Sequence, residues 1–242
     1  MFQRLDIVQI PTFADYLKSG IRLNMITAID FTISNGTPDY KNSLHYISDQ
    51  MNQYQRSILA VGSILAKYDY YQKFAVYGFG AKIDNKTSMC FPLTFDDNNV
   101  EVYGLDGIMN AYKNSVQKVT FSSPTYFAPV IQKATDCAVR NFEESKTYTI
   151  LLILTDGEIC DMKNTIDAIV DATDKPLSII IIGVGNENFN NMDTLDADEK
   201  PLKSSSGIEM KRDIVQFVPF RKFQKSSMER LESEVLAEVP RQ

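Results

Sequence analysis

The sequence has no tryptophan, one histidine and three cysteines among its 242 residues. A lone histidine, His45, leaves little with which to build a zinc centre or a Ser-His-Asp triad. Cys90, Cys137 and Cys160 are odd in number and form no CxxC pair, so free thiols in a cytosolic protein are expected. Basic runs are also missing. Lys and Arg total 25 against 31 for Asp and Glu, a net charge of −6, and no basic helix offers a phosphate footprint, which excludes a nucleic-acid partner. No apolar stretch is long enough to cross a bilayer, and Met1 opens no secretory signal. The two glycosylation-type triplets, Asn35-Gly36-Thr37 and Asn85-Lys86-Thr87, therefore read as coincidental.

What is present suits a globular α/β domain. Hydrophobic residues make up 44% of the chain, enough for a sizeable core. Phe13 to Leu17 reads as a short lead-in helix stopped at Gly20, so residues 1–20 are set apart from a domain spanning 21–242. Strand-like runs follow at Arg22 to Asp30, Phe74 to Phe79, Tyr148 to Leu154, Leu177 to Val184 and Ile214 to Val218. Met89 to Leu93 reads as a short edge strand, because Pro92 cannot donate to a central ladder. Helical patterns lie between them at Asn52 to Tyr68, Asp106 to Val116, Phe127 to Phe142 and Met162 to Ala172, with a last one at Ser227 to Leu236. An Asn- and Asp-rich loop is expected from Asn186 to Lys200. Alternation of this kind implies βαβ crossovers and a doubly wound, mostly parallel sheet flanked by helices.

Three oxygen-bearing loops stand at or beside strand ends, where open α/β sheets bind ligands. Asp30, Thr32 and Ser34 follow the first strand, Thr125 lies in a Ser-Pro-Thr loop, and Asp156 follows Tyr148 to Leu154. Two carboxylates and three hydroxyls are too few for a closed calcium cage. They suit Mg²⁺ or Mn²⁺ held with water and one open position. Taken singly, each residue has an ordinary alternative: a hydroxyl-capped turn for the first loop, a helix N-cap for Asp156 or Thr125.

In this order, D-x-T-x-S, a threonine loop and T-D-G resemble the metal-ion-dependent adhesion site of von Willebrand factor A domains. The chain is more specifically similar to the C-terminal A-like domain of copines. The residues that carry this are Ala28 to Gly36, Ser43 to Tyr46, Tyr77 to Lys82, Pro124 to Pro129 and Leu154 to Gly157. Pro176 to Gly185, Arg212 to Arg221 and Glu238 to Pro240 extend it over nearly the whole chain. The resemblance implies a Rossmann-like A domain with a cation above the sheet, and a binding role without catalytic residues. Thr32 and Ser34 would ligate directly; Asp30, Thr125 and Asp156 directly or through water. The ion would be Mg²⁺ or Mn²⁺, with Ca²⁺ possible, and the partners intracellular proteins offering an acidic residue. Two departures stand out: Ser123 replaces the usual glycine, and Glu158 follows Asp156-Gly157 where valine is commoner.

Copines carry two calcium-dependent phospholipid-binding domains ahead of the A domain, and this chain has no room for them. Membrane contact is therefore expected only through domains outside it, with a cytoplasmic location and peripheral plasma-membrane association in the full-length context. A haloacid-dehalogenase-type phosphotransferase needs a second Asp where Thr32 stands, and a RING ubiquitin ligase needs more Cys and His than are present. The competing reading is a structural scaffold with a vestigial metal site.

Overall fold

The computed structural model describes residues 18–69, 71–198, 200–223, 226–237 and 239. The proposed helix from Phe13 to Leu17 lies outside the described residues, as do Glu238 and Pro240. β1 (Arg22–Asp30) is the first strand, and all of it but Arg22 and Asn24 is buried, as a central parallel strand requires. Around it stand β2 (Lys73–Phe79), β8 (Thr147–Thr155), β9 (Leu177–Gly183) and β10 (Val215–Pro219). The order is β10-β9-β8-β1-β2, every neighbouring pair parallel. Two short strands, β5 (Phe91–Pro92) and β6 (Glu101–Tyr103), pair antiparallel with β2 and close that edge. Pro92 sits where the sequence placed it, at the rim.

Helices cover both faces. On one lie α1 (Gln53–Ala66), α2 (Gly104–Lys118) and α6 (Met228–Val235), which bury Ile58, Val61, Ile64, Tyr112, Val116 and Leu231 against alternate residues of β1 and β8. On the other lie α3 (Ala128–Ser145), α4 (Met162–Ala172) and α5 (Asn190–Asp196), whose Ile131, Ala134, Ile169 and Met192 pack on the intervening residues. The period of two along each strand sends one set of side chains to each layer. α1 starts at a capping box, with the Asn52 side chain accepting from Gln55 N at 2.9 Å and the Gln55 side chain returning to Asn52 N at 2.9 Å.

Two features differ from the sequence expectation. The stretch read as a loop from Asn186 to Lys200 contains α5, because Phe189, Met192 and Leu195 are buried together beneath an otherwise polar surface. A small second sheet also forms from β3 (Ala81–Ile83), β4 (Lys86–Ser88) and β7 (Thr120–Phe121), in the order β4-β3-β7. Asp84 and Asn85 link β3 to β4 with φ of 50° and 63°, the positive pair that a tight hairpin turn needs. Among the described residues no helix is long and apolar enough to cross a membrane.

Candidate metal centre

β1 and β8 run side by side in parallel, with Ile29 paired to Leu154, so Asp30 and Thr155 leave the sheet together. The Asp30 carboxylate is fully buried and heavily used. Its Oδ1 accepts from Thr32 N at 2.8 Å and from Thr32 Oγ1 at 2.5 Å; its Oδ2 accepts from Thr155 Oγ1 at 2.7 Å. The Thr32 and Ser34 hydroxyls lie 2.9 Å apart. Thr32 is held in turn by Asn35, whose Nδ2 donates to Thr32 Oγ1 at 3.3 Å, and Tyr54 of α1 donates to Asn35 Oδ1 at 2.7 Å. Asn35 is thus buried and committed, which removes it as a glycan acceptor.

The small sheet fixes this loop from its other side. Ile33 N donates to Ser122 O at 2.7 Å, and Ser122 N donates to Gly80 O at 3.0 Å. Gly80 has a φ of +75°, and a Cβ there would stand 2.0 Å from Thr32 Cγ2. Only glycine permits both the backbone and the contact.

Asp156 is 1% exposed. Its Oδ1 accepts from Glu158 N at 3.3 Å, whereas its buried Oδ2 has no hydrogen-bond partner. Burial pushes the Asp30 carboxyl up to about 7, with the nearby Asp156 charge adding to it and the Thr32 and Thr155 hydroxyls opposing. Burial raises Asp156 as well, with the nearby Ser34 hydroxyl opposing. Two buried carboxyl groups are thus crowded together, a costly arrangement unless a positive charge joins them.

Thr125 is buried in the adjoining loop, where its carbonyl accepts from Cys160 N at 2.9 Å. Its backbone therefore ties the Ser-Pro-Thr loop to the one that carries Asp156. Neither Thr125 nor Asp156 caps a helix. The α3 N-terminus is held by Asp161, whose two oxygens accept from Phe127 N and Ala128 N at 3.0 Å each, and Asp161 itself precedes α4. Of the five residues singled out in the sequence, Asp30, Thr32 and Ser34 are joined by hydrogen bonds, the Asp156 charge acts on Asp30, and Thr125 stands on a loop bonded to the one that carries Asp156. Thr155, Asn35, Tyr54 and Gly80 complete the surroundings. Thr155 was signalled by its place in Thr155-Asp156-Gly157; the other three carry no local sign of this role. Among the described residues no three His, Cys, Asp or Glu side chains cluster, so a cation here would rest on two carboxylates and hydroxyls.

Residues 43–242 match the Copine family. Copine-D of Dictyostelium discoideum is 48% identical over 236 residues, covering 96% of this chain and 44% of that protein. The chain belongs to the copine family. Protein BONZAI 2 of Arabidopsis thaliana is 47% identical, over 96% of the copine chain and 40% of its own length. The copine chain thus spans less than half the length of these curated relatives. The VWA domain of SpRpn10 superposes with a TM-score of 0.52 at 14% identity, covering 82% of the copine chain and 88% of that domain. At that identity the likeness concerns the fold, a von Willebrand factor A architecture.

Proposed function

We propose that this copine domain is a divalent-cation-dependent protein-binding module. The observation that carries the reading is the unpartnered, buried Oδ2 of Asp156 beside the buried Asp30 carboxylate and the Thr32 and Ser34 hydroxyls. The donor set fits a hard cation: all oxygen, two carboxylates, and no thiol or imidazole ligand. Thr32 and Ser34 would hold Mg²⁺ or Mn²⁺ directly, and Asp30, Asp156 and Thr125 directly or through water. Bound there, the ion supplies an electrophilic point for a partner's Asp or Glu. The chain's own residues do the rest. Thr155 and Thr32 orient Asp30, Asn35 and Tyr54 hold Thr32, and Gly80 lets the loops close. Ile33, 48% exposed on the same loop, offers apolar contact beside the site.

The partners are intracellular proteins, in keeping with three unpaired cysteines. In a longer copine, the module would bring them to a membrane held by other domains. Calorimetric titration with MnCl2 and MgCl2 tests the reading, with Asp30→Ala as control. Heat of binding is expected from the native chain and none from the variant. Recovery of partner proteins should fail in chelator and weaken with Asp156→Ala, whose loop position leaves the core intact. Equal recovery in all conditions would mean a vestigial site on a scaffold domain.

A further inference from the structure

Away from the cation ligands, α1 has apolar residues on a second face. It buries Ile58, Val61 and Ile64 in the core, yet Leu59 and Ala60 beside them are only half-buried. Across from these two, the helical turn Phe220–Lys222 after β10 and the eight-residue α6 bring Phe220, Phe223 and Leu231. The cavity between has a volume of about 340 Å³, and Met51, 52% exposed, also lines it. Methionine is a side chain that adapts its shape to an incoming apolar group.

The charge here runs against that of the chain. In a protein of net charge −6, Arg56 lines this groove and no acid does so among the described residues. Arg230 adds to it from α6, exposed, with its guanidinium 6.0 Å from the centroid of the Phe223 ring. Neither arginine enters an ion pair among the described residues. Glu229 precedes Arg230 in α6 but is not part of the lining. The main walls are two helices and a helical turn, whose backbone groups are bonded within those elements, so an extended segment finds no strand edge to join. A helix satisfies its own backbone and needs only an apolar face to fill such a groove.

We propose that this groove is a second docking site, which takes an amphipathic helix of a partner protein whose apolar face is flanked by acidic residues. The apolar side chains enter between α1 and α6, and the acids pair with Arg56 and Arg230, whose planar guanidinium groups suit carboxylates. None of the five proposed cation ligands lines the groove, so docking here needs no metal.

The test uses the full chain in chelator and three labelled helical peptides of equal length. Each carries Leu at i, i+3, i+4 and i+7, flanked by Glu, Gln or Lys. By anisotropy, the Glu peptide should bind the native chain about fivefold more tightly than the Lys peptide. In the Arg56→Glu, Arg230→Glu double variant the order should reverse, with the urea midpoint unchanged because both arginines are exposed. Met51→Ser should weaken all three peptides by about threefold and leave their order intact. Binding by none of the peptides, or an order that ignores the charge reversal, overturns the proposal. Glu-peptide binding that appears only when Mg²⁺ replaces chelator also overturns it and assigns the acid to the cation. Sedimentation without peptide supplies the last outcome. A native chain that self-associates, and a double variant that does not, would give the groove to a second copy of this chain and overturn the partner-helix proposal.

Discussion

Asp30 shows how one residue sets stability against binding. Three donors orient its carboxylate, yet burial and Asp156 still raise it to about 7. Asp30→Asn should therefore stabilise the chain in chelator at neutral pH by about 1–2 kcal/mol, because a buried charge is removed. The same change should abolish Mn²⁺ binding, so that added cation raises the urea midpoint of the native chain only. His45 makes the opposite point about pH. It is fully buried, stacked on Tyr54 at 4.0 Å between ring centroids, and its Nδ1 lies 2.9 Å from the Tyr112 hydroxyl. Burial lowers its pKa to about 3, against a contrary pull from the Asp30 backbone. Between that value and the ordinary 6.5, the unfolded chain holds a proton that the folded chain refuses, so stability falls with acid. Relative to His45→Phe, the native chain should lose about 1.4 kcal/mol per pH unit below about 6.5. Urea unfolding of both proteins at pH 7, 6 and 5 measures this, and a constant difference would contradict it.

At the scale of elements, the site depends on a small sheet pressed against a large one. Gly80, between β2 and β3, is where the two meet Thr32. Gly80→Ala should cost about 1–3 kcal/mol and weaken Mn²⁺ binding, since the methyl group displaces Thr32. Gly207→Ala is the control: its φ is +83°, nothing lies within 4 Å of the added carbon, and cation binding should persist. Calorimetry on both variants separates a strained turn from a displaced ligand. The main strands and helices were legible because each repeats its apolar residues over at least two turns or pleats. β8 and β9, with their runs of Ile and Leu, could hardly read otherwise. The hairpin of β3 and β4 was not, because three-residue strands hold too few positions to show a period, and its Asp84-Asn85 turn was the only signal. Similarly, α5 was hidden by five Asn, Asp and Thr residues around Met192 and Leu195. In the site, ligand-type residues advertise themselves by chemistry and spacing. Asn35 and Tyr54 do not, since their hydrogen bond spans 19 residues and follows from tertiary packing.

For the whole molecule, the two-sided burial of the sheet also decides how its thiols behave. Cys137 is buried on α3, Cys90 is half-buried and pushed up to about 12 by that burial, and Cys160 is exposed beside the site loop. A thiol reagent should find one fast cysteine in the native protein and three after unfolding without reductant. Fewer than three in the unfolded sample would reveal a bridge that the fold does not contain. The position of β1 has a further consequence, in time. Thr155 donates to Asp30 from 125 residues away, and their strands are neighbours only when β8 has joined β1. In a chain emerging from the ribosome, Asp30 precedes Thr155 by 125 residues, so nothing completes the pocket until β8 has followed. Incomplete chains thus present no finished pocket, and any ligand of it would meet it only on a molecule whose central sheet has formed.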